Sequence, residues 1–442
     1  MGSLPRAMAE LGHHGIILTP KYGFIDTDKY GITKTDIEYN LHFYGRDYYI
    51  TIWEAVLPRS EVKVYFVDHE GLFGARKEVY PFGQPEWELE GFLVFSQATF
   101  ELMHRISFRP DILHVNDWHT ASMATTLASI RPYDQFFSRT FSVLTIHNLH
   151  YQGLYGDTNW LREGIEKADR VTTVSPTYAK EIQMPEFGAG LDDIMRDCHH
   201  KLVGILNGID TDLFDPETDV YLPLKYSLDR VTSGKAACKA ELQKELGLPL
   251  EPDVPLMGFV GRLVDQKGLD ILLPVIEAWD QDACPLQFAL IGTGDPYIER
   301  RLQHLSDTNP RIGSFIGFNT PLAMKIYAGC DMFVMPSGYE PCGLGQLIAL
   351  RYGTAPIVRA VGGLADTIAD IRLHPDSGNG FSFNEYDSHR LLEVMADAVR
   401  LFADKSKWYT LIERGMQEDH SWHQSALAYE HLYSSIFHPV SH

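Results

Sequence analysis

GFVGRLVDQKGLDILL (residues 258–273) reads as an apolar strand, a short turn and a helix. The turn carries Arg262 and Lys267, five residues apart, where the helix begins. Two cations beside the free amides of a helix start suit a diphosphate. Taken alone, the pair is equally well read as two solvated side chains on a surface turn. A second stretch, PSGYEPCGLGQL (336–347), raises the functional reading. It is a strand end, a lone Glu340, then the glycine-rich run Cys342, Gly343, Leu344, Gly345 and Gln346 leading into a helix. Glycines there let backbone amides approach a ligand, and a carboxylate suits sugar or ribose hydroxyls. AVGGLADTI (360–368) repeats the pattern after the next strand. Adjacent strand-to-helix turns with bare amides form the crevice expected at the carboxyl edge of a parallel sheet.

Outward from these motifs, short apolar runs alternate with helical stretches, the pattern of an α/β chain with parallel sheets. Strands are expected at 15–19, 62–67, 112–115, 142–146 and 171–174, and in the second half at 256–260, 287–291, 312–316, 332–335 and 355–358. The alternating segment 48–53 reads as a hairpin strand. Helices are expected at 3–11, 90–106, 120–129 and 177–182, near Leu269, Tyr297, Pro321, Leu344 and Leu364, and at 421–436. Turn chemistry between Asn207 and Pro255, with one helix at 235–246, marks a junction between domains. At the start of the chain Ser3 is the expected N-cap, Pro5 lies in the first turn and Gly12 ends the helix. A parallel sheet of this type ordinarily begins with a strand ahead of such a helix, so its first strand is expected to be missing.

The chain has 442 residues, too many for one ordinary core. A formal charge of −21 argues against nucleic acid and anionic membrane as partners but suits a neutral polymer. Five widely spaced cysteines read as a reduced, cytoplasmic protein rather than a disulfide framework. Cys198, His199 and His200 lack a second ligand pair at zinc spacing. No apolar run is long enough to span a membrane, and no signal peptide opens the chain. In the first half, ILHVNDWHT (112–120) and LTIHNLHYQG (144–153) are strands ending in polar and aromatic groups that suit sugar hydroxyls and faces. Single histidines such as His13, His14, His104 and His114 are read as hydrogen-bonded structural residues, whereas His150 stays ambiguous.

These motifs, together with VTTVSPTYAKEI (171–182), LNGID (206–210), YGTAPIVRAVGGLADT (352–367) and SWHQSALAYEHLY (421–433), resemble bacterial glycogen synthase and plant starch synthase over nearly the whole chain. The resemblance implies a GT-B fold: two Rossmann-like domains facing a central cleft, with a C-terminal helix crossing back to the first. The implied layout is an acceptor-side domain at 1–215 lacking its first strand, a connection at 216–252, a nucleotide-sugar domain at 253–418 and the crossover helix at 419–442. It implies transfer of glucose from ADP-glucose to the non-reducing end of an α-1,4-glucan with retention. No metal or other cofactor is implied, ADP-glucose being a substrate.

Residue by residue, Arg262 and Lys267 match the diphosphate pair and Glu340 the glutamate at the donor glucose. His147 matches the histidine near the reacting carbon, and Asp117 and Asn148 match polar residues near the glucosyl unit. Phe318 falls where the family often has a tyrosine against the nucleoside base. Gly345, Gln346, Gly363 and Leu364 match donor-contacting turns.

Departures from the family pattern are also visible. A Lys-x-Gly-Gly-Leu loop expected ahead of the first helix has no counterpart. The stretch between Tyr155 and Trp160 is short by roughly one helix and loop. Gly338 replaces an arginine. Ile348 stands eight residues after Glu340, where a wider transferase family has a second acid, which favours the glycogen and starch synthase branch. The missing loop keeps open a non-catalytic glucan- or nucleotide-binding chain, or a truncated gene model whose true start lies upstream, as the alternative. A related transferase using UDP-glucose is a further one. The oligomeric state stays open.

Overall fold

The run Leu256–Val260 is buried along nearly its whole length, which is why it carries no polar alternation: a parallel strand covered on both faces must be apolar throughout. The computed structural model describes residues 2–76, 79, 85–280 and 284–437, and they fall into two compact units. Unit 1 comprises residues 1–174, 179–205 and 422–442, and unit 2 comprises 175–178 and 206–421.

Unit 1 contains β1 (Ile16–Pro20), β2 (Thr33–Phe43), β3 (Arg46–Val56), β4 (Lys63–Asp68), β5 (Ile112–Asn116), β6 (Phe141–Ile146), the short ribbon β7 (Leu154–Tyr155) and β8 (Thr158–Asn159), β9 (Arg170–Thr173) and β10 (Leu202–Gly204). Its main strands form two four-stranded sheets, ordered β1-β4-β3-β2 and β10-β9-β6-β5. The second is wholly parallel, while the first mixes a parallel β1–β4 pair with the antiparallel β2–β3–β4 meander. The expected hairpin strand at 48–53 is real, and its partner β2 is a strand the sequence reading missed. Ser3 does not cap the first helix: Gly2 holds the cap position without a side-chain bond, and Ser3 lies inside the first turn. Gly12 does end it, at φ +92°. Helix Trp422–Phe437 packs Ala426, Tyr429, Leu432 and Ile436 against Ala7, Met8, Val143 and Ile205.

Unit 2 is built on one parallel sheet of β11 (Leu256–Val260), β12 (Gln287–Gly292), β13 (Ile312–Ile316), β14 (Met332–Met335), β15 (Ala355–Arg359) and β16 (Phe381–Phe383). Their order is β13-β12-β11-β14-β15-β16. From β11 the chain winds outward through β12 to β13, then returns to place β14 on the other flank of β11. The carboxyl ends of β11 and β14 therefore frame the topological switch point, where ligands of doubly wound sheets bind. Close packing enforces this: a Cβ on Gly258 would lie 2.7 Å from Ile326 and 2.8 Å from the Cys330 sulfur, from a helix crossing the sheet. The stretch 216–252 belongs to this unit, and its helix Val231–Glu245 buries Lys235, whose ammonium bonds Ala328 O at 2.9 Å and Thr354 Oγ1 at 2.7 Å.

Candidate active site

After β11 the chain turns through Arg262 and a single 3-10 turn, Asp265–Lys267, into helix Leu269–Ala278. Gly268 makes the turn possible at φ +75°, and a Cβ there would sit 2.1 Å from the Pro336 carbonyl. The turn is thereby pressed against the segment following β14. Lys267 Nζ donates to Glu340 Oε2 at 2.5 Å, and Ser337 Oγ donates to the same oxygen at 3.1 Å. Glu340 is buried, Lys267 half-buried and Arg262 exposed, with its Nη2 donating to Gln266 Oε1 at 2.7 Å. The backbone is stitched as well, Gly338 N donating to Gln266 O at 2.9 Å. Taking these charges partly out of water strengthens their attraction but requires hydrogen-bonded partners, which Ser337 and Gln266 supply.

Two supporting residues were not read from the sequence. Arg359, at the end of β15, donates to Gly338 O at 2.6 Å and to Asn384 O at 2.9 Å, and lies over the Tyr386 ring. The Tyr386 hydroxyl donates to Asp270 at 2.5 Å and to Asp265 O at 3.2 Å. Burial pushes that hydroxyl's pKa up, and the Asp270 carboxylate adds to the shift. Arg359 thus braces the backbone at Gly338, the position where the family pattern has an arginine. Nothing local in the sequence flags this, because β14 and β15 are brought together only by the sheet.

The glycine-rich turns behave differently from the expectation of bare amides. Gly362 (φ +45°) and Gly363 lie so close to the preceding loop that Cβ atoms would fall 1.9 Å from Glu340 O and 2.1 Å from Cys342 O. The Gly363 amide donates to the Glu340 and Pro341 carbonyls, both at 3.2 Å, and the Leu364 amide to Val361 O at 3.0 Å. These glycines fit backbone against backbone; they hold the Glu340 loop rather than present donors. Gln346 is fully buried, and its side-chain amide nitrogen donates to Cys342 O, Gly343 O and Thr367 Oγ1. Cys342 is buried, and that burial pushes its thiol up to about 12, so it stays protonated and is no nucleophile. Gly345 opens helix Gly345–Arg351, where first-turn amides have no intrahelical acceptor. Leu344 is half exposed beside it, and Phe318, after Gly317 (φ +140°), stands 91% exposed.

In unit 1 the expected residues cluster at the carboxyl ends of the neighbouring strands β5 and β6. Asp117 takes a left-handed conformation, φ +53°, uncommon for a residue with a side chain. Its Oδ1 accepts from the His147 amide at 2.7 Å. Asn116 Oδ1 lies 2.9 Å from His147 Nε2, and Asn148 Oδ1 accepts from the His150 amide at 3.0 Å. Burial holds the His147 imidazole below its ordinary pKa, the Asp117 carboxylate opposing the shift. A neutral ring with Nε2–H given to Asn116 leaves Nδ1 as the acceptor. Trp118 is buried against Phe92 and Gly153, so it packs the site rather than facing a ligand. His13, His104 and His114 bond Glu430, Asp134 and Tyr433 respectively, and His14 meets Phe108 edge-on. Among the described residues no group of three or more His, Cys, Asp or Glu is placed to hold a metal ion, and no helix is long and apolar enough to cross a membrane.

Known proteins resolve what this constellation belongs to. The starch synthase catalytic domain family matches residues 1–197, and the glycosyl transferases group 1 family matches residues 254–400. A glycogen synthase of Anaeromyxobacter sp. (strain Fw109-5) is 40% identical over 99% of this chain and 95% of its own length. This chain belongs to the glycogen and starch synthase family. A Thermotoga maritima glycogen synthase is 39% identical over 98% of this chain and 93% of its own. Among solved structures, the catalytic domain of Arabidopsis thaliana starch synthase IV, bound to ADP and acarbose, superposes with a TM-score of 0.89 at 31% identity, covering 98% of this chain and 94% of that one. The sucrose-phosphate synthase of Thermosynechococcus elongatus shares the fold, with a TM-score of 0.61 at 19% identity over 98% of this chain and 92% of its own. The synthase is thus a GT-B glycosyltransferase, and its α/β units are those of that fold.

Proposed function

We propose that this synthase transfers glucose from ADP-glucose to the non-reducing end of an α-1,4-glucan, retaining the anomeric configuration. The observation that carries the reading is the Lys267–Glu340 pair beside Arg262 at the switch point of the unit 2 sheet. Departure of ADP develops negative charge on the diphosphate, and fixed cations at that point lower the barrier. Arg262 and Lys267 take that role. Among the described residues, the bonds to the Glu340 carboxylate fall on Oε2, so Oε1 serves the donor-sugar hydroxyls. The exposed Phe318 ring offers the base a stacking face. His147, held neutral with Nδ1 as acceptor, receives a hydroxyl of the glucosyl unit, and Asp117 and Asn148 fix the backbone that carries it. The acceptor oxygen bonds the anomeric carbon from the face that ADP leaves, through an oxocarbenium-like state, as the carbon–phosphate oxygen bond breaks and the hydroxyl proton passes to the departing diphosphate. Support for ADP and a glucan comes from the starch synthase IV neighbour, which binds ADP and acarbose, and from the glycogen synthase relatives.

Transfer of labelled glucose from ADP-glucose and from UDP-glucose onto glycogen tests this. Faster transfer from ADP-glucose is expected. Preference for UDP-glucose overturns the donor assignment, and ligand binding without transfer from either donor establishes the non-catalytic alternative.

A further inference from the structure

Helix Gly362–Thr367 backs the loop that carries Glu340, yet it has only six residues. A helix that short makes too few internal hydrogen bonds to hold its own place, so contacts from outside fix it. At its start Gly362 and Gly363 lie against the Glu340 and Cys342 carbonyls. At its end the Thr367 hydroxyl donates to Gly363 O at 2.7 Å and accepts from Gln346 Nε2 at 3.2 Å. Asn379 Nδ2 donates to Thr367 O at 2.9 Å. A further tie reaches far along the chain. Asp366 Oδ2 accepts from the Thr177 amide at 2.8 Å and Oδ1 from the Thr177 hydroxyl at 2.6 Å, across 189 residues.

The sequence around Thr177 explains why an acceptor is wanted there. Pro176 opens helix Pro176–Glu181 and has no amide to satisfy. Ser175 Oγ accepts from the Tyr178 amide at 3.0 Å, the ordinary bond of a capping serine. The Thr177 amide lies between them, in a first turn that offers it no acceptor within the helix. Asp366 supplies one. Residues 175–178 group with unit 2, whereas the chain on either side of them belongs to unit 1. Hydrogen bonds to a carboxylate are of the stronger kind, and two of them on one residue fix direction as well as distance.

We propose that Asp366 is a positioning residue for the donor half-site. It anchors helix Gly362–Thr367 to segment 175–178, and the helix in turn holds the loop whose Glu340 pairs with Lys267. The proposal rests on the reading of that half-site as the place where the nucleotide sugar binds. Asp366 acts through the helix and not on the donor. Misplacing a reacting group by about 1 Å costs on the order of 100-fold in rate, so a small shift of this helix is enough to matter.

Asp366→Ala is expected to weaken ADP binding, measured by titration calorimetry, by roughly 3- to 10-fold and to lower kcat for labelled transfer by roughly 10- to 100-fold. The KM for glycogen stays unchanged. Thr177→Val keeps the amide and loses the hydroxyl; it is expected to act in the same direction more weakly, and it decides the matter if Asp366→Ala does not fold. Thr177→Ser keeps both donors and should behave as wild type. Because the two residues share one interaction, the double variant Asp366→Ala/Thr177→Val is expected to be no worse than Asp366→Ala alone. A lower unfolding temperature with unchanged ADP affinity and unchanged kcat in the folded variants shows a merely structural tie and overturns the proposal, as do fully additive losses in the double variant. If the wild type binds ADP but transfers no glucose, ADP affinity alone decides: weakening in Asp366→Ala keeps the positioning role while the transferase reading falls. A wild type that binds no ADP overturns both.

Discussion

Lys267 and Glu340 stand 73 residues apart in sequence yet share a 2.5 Å hydrogen bond, and each is the other's charge partner in a partly dehydrated site. Removing either side chain deletes a proposed transition-state contact and strands its partner. Lys267→Ala and Glu340→Ala are each expected to lower kcat for labelled transfer by about 100-fold or more. Wild-type rates in either variant would remove these residues from the mechanism. His114 carries a different consequence. The residue keeps some exposed surface, but its ring lies between Tyr433 Oη and Thr145 Oγ1, each 2.6 Å away. Burial, reinforced by His147, lowers its pKa to about 3. Below the unfolded value near 6.5 the unfolded chain takes up a proton that the folded chain refuses. This contribution is therefore complete above about pH 6.5 and is lost as pH falls toward 3. Thermal unfolding followed from pH 7 to pH 5 should show a steeper loss for wild type than for His114→Gln, and equal slopes would refute the assignment.

At the scale of elements, much was legible. Leu256–Val260, Ile312–Ile316 and Met332–Met335 are strands over the same residues that the sequence suggested, because each is an apolar run closed by turn residues. β2 escaped notice because its burial alternates irregularly through polar residues, with a register shift between Lys34 and Glu38. Phe381–Phe383 is too short to announce itself, and its place beside β15 makes it a strand. The turn at Gly362 and Gly363 was recognised as special, but it packs backbone on backbone instead of presenting bare amides, since the carbonyls these glycines abut come from the loop after the neighbouring strand. Gly363→Ala tests that role. A Cβ 2.1 Å from a backbone carbonyl forces the loops apart, so a loss of about 1–3 kcal/mol in stability by denaturant titration is expected. The KM for donor should rise with it, and a variant as stable and active as wild type would contradict the contact. Tyr433→Phe probes helix Trp422–Phe437 in the same way. It leaves a His114 ring nitrogen without its partner, at an expected cost of about 1–3 kcal/mol.

For the whole molecule, among the described residues unit 2 holds one large core and unit 1 carries separate clusters on its sheets. A ligand bound by native unit 2 stabilises it by mass action, about 2.7 kcal/mol at one hundred times its Kd. ADP is therefore expected to raise the calorimetric transition of wild type in a concentration-dependent way and to do so much less in Lys267→Ala. An equal shift in both would show that the nucleotide binds elsewhere. The sequence by itself determined the α/β class, most parallel strands, and the two cations and the carboxylate around which the proposed donor half-site is built, because apolar runs, turn residues and charge are local properties. Only the tertiary structure decided that β14 returns to lie beside β11, which brings Lys267 onto Glu340, and that β15 pairs with β14, which brings Arg359 onto Gly338. Strand order arises from the pairing of segments far apart in the chain, and no local pattern specifies which strand becomes which neighbour.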